Sequence, residues 1–314
     1  MSSQNKLSEL IVYTSTLYGD DETSKIRSKL CLNLLKNAKG LGIKVVVRDG
    51  GSSDKFIDEV NKLDNVLLIQ ALPREKRKSM GADRRDALAE AVRLANREKM
   101  ENPYFFWTEP EKDDLISEKN LVNIITGIRC GSNIVVPARE EGAWQNLPKN
   151  QRWFEQRANK RSLELIKESS GGRHQQLLDL WFGPKMFDRV GAEFFQKYNE
   201  DGKKMDLWDA TIVPVVEAIR EGKAVGSVPV DYKYNETQAL NESGELKNAF
   251  IVKRSEQYAQ ILREMGDPVW ETFFQESKDE LNKIKELKKE STVESAELLN
   301  EQKKIVLKSF FKIR

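Results

Sequence analysis

The sequence predicts an α/β protein with a mainly parallel sheet flanked by helices, and two observations carry this prediction. Up to residue 137, five short apolar runs alternate with segments whose apolar residues recur at helical spacing. Runs such as Val45, Val46 and Val47 lack polar alternation, which is typical of strands that helices cover on both faces. Repeated β–α–β order of this kind makes consecutive strands parallel.

The strands predicted in this region coincide with clusters of β-branched and aromatic residues. They are residues 10–14, 45–47, 66–69, 104–107 and 133–136. Helices are predicted between them from apolar residues three and four positions apart. Those helices centre on residues 26–35, 56–60, 81–99 and 121–128. Thr23 or Ser24 is expected to cap the first helix, and Gly40 and Gly42 are expected to end it.

After residue 140 the pattern is less regular. The elements predicted there are a largely helical segment, a strand that ends at a Gly-Pro pair, a helix and a late strand. They occupy residues 144–167, 177–182, 205–220 and 224–230. Residues 267–314 are predicted to be a charged helical tail. Its basic amphipathic end suits a membrane surface, a docked position on its own domain, or pairing between two chains.

Composition limits the function classes. The 52 basic and 50 acidic residues give a net charge of +2, whereas a protein whose main partner is nucleic acid usually has a clear basic excess. No apolar run approaches the roughly 20 residues that span a bilayer. Residues 1–10 lack the apolar stretch of a signal peptide. The two cysteines form no C-x-x-C motif, so a cytoplasmic protein without a transmembrane segment is expected.

The segment Asp-Gly-Gly-Ser-Ser-Asp at residues 49–54 closes the second predicted strand. Asp49 therefore lies at the carboxyl end of a strand, where open α/β sheets bind ligands. Gly50 and Gly51 permit positive φ angles and a close approach of a ligand to the backbone. The segment is equally readable as an ordinary strand–turn–helix joint.

Two acidic residues, Glu109 and Glu111, follow the fourth predicted strand. Carboxylates at this spacing on the edge of a sheet can share one hard divalent cation, which substrate phosphates and waters complete. The alternative is a solvated acidic turn that caps the next helix.

The order of these motifs resembles that of the GT-A-fold glycosyltransferases, and the large family whose second strand ends in D-[DG]-G-S-x-D is the most similar. The resemblance covers about residues 8–235 and is clearest over 8–137. It implies that residues 1–140 bind a nucleotide sugar and that residues 141–266 bind the acceptor. By resemblance Asp49 recognises the base, and the Gly-Ala-x-Arg segment with Gly81 approaches the nucleotide or its phosphates. The implied nucleotide-sugar site is Thr14, Asp49, Gly50, Gly51, Gly81, Arg84 and Arg85.

The same resemblance implies that Glu109 and Glu111 hold Mn²⁺ or Mg²⁺ against the donor diphosphate. Here the chain departs from the family, because Glu-Pro-Glu replaces the usual Asp-x-Asp. Basic side chains neutralise the diphosphate in some proteins of this fold, and Lys112, Arg84 or Arg85 would serve that purpose here. The single histidine, His174, does not match the late histidine ligand of many family members.

A carboxylate near the start of a late helix is the general base in inverting family members, which by resemblance is Asp206, with Asp209 second. A base at this place takes the proton of the attacking sugar hydroxyl. The alternative is that Asp206 is a helix N-cap.

The resemblance implies a glycosyltransferase that moves a sugar from a nucleoside diphosphate sugar to a soluble small-molecule or glycan acceptor. Retaining chemistry, as in the glycerate-directed mannosyl- and glucosyltransferases of this fold, would make Asp206 a substrate-binding residue. One alternative is a non-catalytic GT-A-like protein that binds a nucleotide sugar or a partner. The other is a nucleotidyltransferase, although residues 14–21 contain only Gly19 and no lysine of the loop that this class uses.

Overall fold

A computed structural model of the chain describes residues 7–71, 79–197, 207–237, 239 and 257–267. The chain divides into two compact units, residues 1–243 and 244–314. In the second unit, residues 257–265 are helical. The predicted helical tail falls outside the described residues from position 268 onward, so it stays a prediction. The division at residue 140 into a donor half and an acceptor half also stays a prediction.

The described part of the first unit contains one seven-stranded sheet, in the order β3–β2–β1–β4–β6–β5–β7. All neighbouring strands pair in parallel except β6, which runs antiparallel to β4 and β5. The predicted fold class, a mainly parallel sheet flanked by helices, is therefore confirmed. The strands are β1 Leu10–Thr16, β2 Lys44–Asp49, β3 Val66–Gln70, β4 Tyr104–Trp107, β5 Ile134–Arg139, β6 Lys185–Phe187 and β7 Val225–Val230.

Helices connect these strands. Val45, Val46 and Val47 are all fully buried, as the absence of alternation in their sequence predicts. Short 3₁₀ turns lie at Asp113–Leu115, Leu180–Phe182 and Trp208–Thr211. The α-helices are α1 Glu22–Gly40, α2 Asp54–Asn61, α3 Met80–Arg97, α4 Glu118–Arg129, α5 Glu141–Gln145, α6 Lys149–Ser169, α7 Arg189–Gln196 and α8 Val213–Arg220.

The start of α1 differs from the prediction by two to three residues. Asp21 is its N-cap, because the Asp21 carboxylate accepts a hydrogen bond from the Ser24 backbone N–H at 2.9 Å. The expected caps Thr23 and Ser24 lie inside the first turn. Aspartate is among the best N-cap residues, and Asp21 has the extended backbone that an N-cap requires.

The strand predicted at residues 177–182 is wrong. Leu180–Phe182 is a 3₁₀ turn, and the strand of this region follows the Gly-Pro pair as β6, Lys185–Phe187. Residues 178–182 are buried without strand pairing, because Trp181 packs on Phe154 and Phe182 packs on Tyr232, whereas Leu177 is exposed. An apolar run indicates burial, and here the burial comes from a packed turn.

The single helix predicted over residues 205–220 is also wrong. A 3₁₀ turn at Trp208–Thr211 precedes α8, which begins at Val213 with Pro214 in its first turn. A proline interior to a helix would remove one backbone hydrogen bond and clash with the preceding turn, so the helix starts beside it. In the described part of the chain, no helix is long and apolar enough to cross a membrane.

Candidate functional site

The carboxyl ends of β1, β2 and β4 meet at one edge of the sheet, because β1 pairs in parallel with both of the others. This edge carries most of the residues that the sequence singles out. Thr14 links two of the strands there, since its hydroxyl donates to the Thr108 carbonyl oxygen at 2.8 Å. Thr14 is completely buried, so it fixes the position of the segment that leads to Glu109.

The loop after β2 is organised around the buried carboxylate of Asp49. Its Oδ2 accepts hydrogen bonds from the backbone N–H groups of Gly51 and Ser52, both at 2.9 Å. Its Oδ1 accepts from the Thr16 hydroxyl at 2.8 Å and also from the Ser52 hydroxyl. Four donors therefore surround one carboxylate, and Asp49 shapes the loop that follows it.

The two glycines after Asp49 have different surroundings. The Gly50 N–H donates to the Thr16 carbonyl oxygen at 2.8 Å. Gly51 has a φ of +110°, and a Cβ built on it would meet nothing within 4 Å. The neighbouring loop is tied in as well, since the Tyr18 backbone N–H donates to the Ser52 hydroxyl at 2.9 Å. The backbone at Gly51 is thus held in place by hydrogen bonds of the loop, and the space on its Cβ side is unoccupied by other described protein atoms.

The first turn of α3 brings Gly81 and Arg84 to the same part of the fold, with Arg85 half-buried beside them. The Arg84 guanidinium donates to the Leu207 carbonyl oxygen at 2.9 Å. It also lies 4.9 Å from the centre of the Trp107 ring, which is a cation–π distance. Burial lowers the Arg84 pKa, and the negative charges of Glu109 and Asp209 oppose that shift.

Of the two candidate bases, Asp206 lies outside the described residues. Asp209 lies in the 3₁₀ turn before α8 and is completely buried. Its Oδ1 accepts a hydrogen bond from the Leu207 backbone N–H at 3.0 Å. Arg84 contacts the same short segment, so the two side chains together hold the turn against α3.

Glu109 packs tightly against the turn before β6. Gly183 has a φ of +101°, and a Cβ added there would come within 2.6 Å of the Glu109 carboxyl carbon. The Oε2 of Glu109 lies 3.3 Å from Nζ of Lys112. Burial alone would raise the pKa of Glu109, but the charges of Lys112 and Arg84 outweigh it and the pKa is lowered.

Glu111 has different partners, which lie on α1 and in the loop that precedes α1. Its Oε1 lies 3.2 Å from Nε of Arg27 and accepts a hydrogen bond from the Tyr18 hydroxyl at 3.4 Å. Burial raises the pKa of Glu111 in spite of the Arg27 charge. Two carboxylates that are two positions apart therefore have separate partners and opposite pKa shifts.

A buried lysine lies beneath this site. Lys185 is completely inaccessible to solvent, and its Nζ donates to the carbonyl oxygens of Gly183 at 2.9 Å and Leu180 at 3.2 Å. Burial lowers its pKa to about 7, while the charges of Glu109 and Asp179 act in the opposite direction. The carbonyl acceptors explain why a strand of three residues can begin with a buried charged side chain.

The described residues do not fit the divalent cation that the resemblance implies. Glu109 and Glu111, the expected ligands, each face a cation of the protein. No three His, Cys, Asp or Glu side chains form a metal-ligand group within the described ranges. The His174 imidazole does not extend the set, since its Nε2 lies 3.0 Å from the Gln176 carbonyl oxygen.

Sequence reasoning missed several contributors to this edge, among them Thr16, Arg27, Gly183 and Lys185. Thr16 looked like any residue of a loop, and its bond to Asp49 depends on strand register. The sequence predicts that Gly183 ends a strand and does not show that it packs against Glu109. A lysine between apolar residues at position 185 was a visible signal that a charge is buried there. The roles of the other candidate residues stay predictions.

Neither a protein-family model nor a curated protein sequence matches the chain. Solved structures do match. Glucosyl-3-phosphoglycerate synthase from Mycobacterium tuberculosis, in complex with Mn²⁺, UDP and glucosyl-3-phosphoglycerate, superposes with a TM-score of 0.52 at 11% identity, and the match covers 85% of each chain.

A second similar structure is mannosyl-3-phosphoglycerate synthase from Rubrobacter xylanophilus. It superposes with a TM-score of 0.53 at 10% identity, and the match covers 86% of this chain and 78% of the other. At such identities the likeness concerns the fold alone. Both neighbours are nucleotide-sugar glycosyltransferases, so the seven-stranded, mostly parallel sheet of this chain has the GT-A fold.

Proposed function

We propose that this chain is a glycosyltransferase that moves a sugar from a nucleoside diphosphate sugar to a soluble small-molecule acceptor. The observation that carries the proposal is that three candidate binding segments lie together at the carboxyl edge of its GT-A sheet. The loop ordered by Asp49, the first turn of α3 and the Glu109 segment all lie at this edge. Open α/β sheets bind ligands at the carboxyl ends of their strands.

The Asp49 loop would bind the nucleotide through its backbone. Because the Asp49 carboxylate already accepts four hydrogen bonds, its part is to hold Gly50 and Gly51 in place. The open space at Gly51 admits a ligand to the main chain. A preformed loop of this kind binds without the free-energy cost of ordering itself.

In the transfer step an acceptor hydroxyl oxygen forms a bond to the anomeric carbon while the bond from that carbon to the diphosphate oxygen breaks. Asp206 is the candidate that takes the hydroxyl proton if the enzyme inverts, and a substrate-binding residue if it retains. The complete burial of Asp209, and its bond to Leu207 N–H, favour a positioning part for that carboxylate.

The first test is thermal unfolding of the full chain with UDP-, GDP-, ADP- and TDP-sugars, each with and without Mn²⁺. A ligand at about 100 times its dissociation constant adds about 2.7 kcal/mol, which raises the midpoint by roughly 5–10 °C for a protein of this size. One nucleotide family is expected to give this shift, and the free sugar is the matched control. No shift with any donor would contradict the proposal.

The acceptor is tested with the donor that binds. One M. tuberculosis neighbour was solved with UDP and phosphoglyceric acid bound, so phosphoglyceric acid is the first acceptor to try. Mass spectrometry of the mixture would detect a product heavier by one sugar residue. The second candidate, a non-catalytic nucleotide-sugar-binding protein, is favoured by the pairing of Glu109 and Glu111 with protein cations. It would bind the donor and yield no product with any acceptor.

A further inference from the structure

The two carboxylates expected to hold a metal are closed off by other parts of the chain. On Glu109, Oε1 faces Gly183 so closely that a methyl group would not fit between them, and Oε2 faces Lys112. On Glu111, Oε1 faces Arg27 and the Tyr18 hydroxyl. A cation held between these carboxylates would have to displace one salt bridge on each side.

The next two acidic residues along the chain, Asp113 and Asp114, also accept hydrogen bonds from the protein. Oδ2 of Asp113 accepts a hydrogen bond from the Asn33 amide at 3.2 Å. Oδ2 of Asp114 accepts one from the Lys233 backbone N–H at 3.0 Å. Among the described residues, each of these four carboxylates therefore already has a partner within the protein, whereas Lys112, Arg84 and Lys185 are the positive side chains whose charges act on Glu109.

These three cations differ in what they can still bind. The Lys185 ammonium is fully buried and donates hydrogen bonds to two carbonyl oxygens. The Arg84 guanidinium is buried, donates to the Leu207 carbonyl oxygen and lies over the Trp107 ring. The side chain of Lys112 is 17% exposed, and its acidic partner Glu109 is 22% exposed. Lys112 is thus the cation of this set that reaches solvent, and its Nζ lies 5.4 Å from the centre of the Phe182 ring.

We propose that Lys112 binds the diphosphate of the nucleotide donor directly, in the place where related folds use a divalent cation held by paired acids. The inference rests on the proposed function. Lys112 would exchange its partner Glu109 for a phosphate oxygen, and the charges of Arg84 and Lys185 would continue to stabilise the Glu109 carboxylate. An ammonium is a compact point charge, which suits a phosphate that already lies in a shaped loop.

The test is calorimetric titration of UDP, GDP, ADP and TDP into the full chain, once in EDTA and once in Mn²⁺. The nucleotide that binds is expected to do so in EDTA with an affinity within about threefold of that in Mn²⁺. Lys112→Met should weaken it by about tenfold or more, because the variant loses a charge-assisted hydrogen bond to a phosphate oxygen. Lys112→Arg should restore most of the affinity.

Lys119→Met is the matched control, because Lys119 forms an exposed salt bridge with Asp231 at 3.2 Å on another part of the surface. It should leave nucleotide affinity unchanged, and an unchanged unfolding midpoint shows that each variant is folded. Should Lys112→Met fail to fold, Lys112→Gln takes its place. Binding that requires Mn²⁺, or a Lys112→Met variant that binds like the wild type, overturns this inference alone. Absence of binding by every nucleotide in both buffers overturns the proposed function with it.

Discussion

The loops after β2 and after β4 lie at the same edge of the sheet, and acidic residues lie near the start of both. The partners of those carboxylates differ between the two loops. Asp49 is surrounded by backbone N–H groups and short hydroxyls. Glu109 and Glu111 face the long side chains of Lys112 and Arg27. Donors of the first kind are fixed by the fold, whereas a lysine or arginine can exchange one anion for another.

This difference separates a carboxylate that builds a site from carboxylates whose partners can take part in binding. Removing Asp49 would leave four donors without their acceptor. Removing Glu109 would free Lys112 for another anion. The same residue type at the same edge therefore has a structural effect in one loop and an electrostatic effect in the other.

The largest expected effect comes from Asp49→Ala. Two buried N–H groups and two hydroxyls lose their acceptor, so the free energy of unfolding should fall by about 2–4 kcal/mol. Urea denaturation would measure the loss. Asp54→Ala, which alters the exposed second aspartate of the same motif, is the control and should cost at most about 1 kcal/mol. Equal decreases in the free energy of unfolding for the two variants would contradict a structural role for Asp49.

A smaller effect is expected from Gly183→Ala compared with Gly131→Ala. The two glycines have φ angles of +101° and +104°, so the backbone strain of an added Cβ should be alike. Around Gly131 there is nothing within 4 Å, whereas at Gly183 the Cβ meets Glu109. Gly183→Ala should therefore cost about 1 kcal/mol more, the low end of overpacking, because the Glu109 carboxyl group is the end of a side chain that can shift.

The double variant Glu109→Ala with Gly183→Ala isolates that steric effect. If the Glu109 carboxylate causes the extra loss, removing it should make the cost of Gly183→Ala similar to that of Gly131→Ala. Urea denaturation of the wild type, the two single variants and the double variant completes the cycle. An extra cost that persists without Glu109 would place the strain elsewhere in the turn.

The smallest effect concerns pH. Because the pKa of Glu109 is lowered in the folded state, this group stabilises the fold above its unfolded pKa, and the stabilisation is lost as the pH falls below about 4.5. Because the pKa of Glu111 is raised, the folded state binds that proton more tightly, and stability declines as the pH rises above about 4.5.

Glu109→Gln and Glu111→Gln would separate the two contributions. Relative to each variant, the free energy of unfolding of the wild type should rise with pH for Glu109 and fall with pH for Glu111. Each difference should be below about 1 kcal/mol, as for other partly exposed ion pairs. Slopes of the same sign for the two variants would show that the carboxylates share one environment.

The sequence was sufficient for the main elements of the sheet because their apolar runs are uninterrupted and alternate with segments of helical spacing. Strands β1 to β5 and β7 lie where the β-branched and aromatic clusters predict them. The pattern failed at β6, since three residues are too few to show a period and the first of them is Lys185. It also failed before α8, where the proline at position 214 outweighs the apolar spacing.

The site was less accessible to sequence reasoning. The sequence led to Asp49, Glu109 and Glu111, because each follows an apolar run. It did not show what their carboxylates contact, since Thr16, Arg27 and Gly183 come from distant parts of the chain. Whether an acidic pair binds a metal depends on those contacts, and spacing alone does not contain them.

The antiparallel strand β6 also has a consequence for the order of assembly. β4 and β5 do not pair with each other, and Lys185–Phe187 forms the only ladder between them in the described sheet. A nascent chain therefore has β1 to β4 ready to pair long before β5 has a neighbour on their side. Translation must pass residue 187 before β5 can join β1 to β4 in one sheet, so three residues set the moment at which that junction forms.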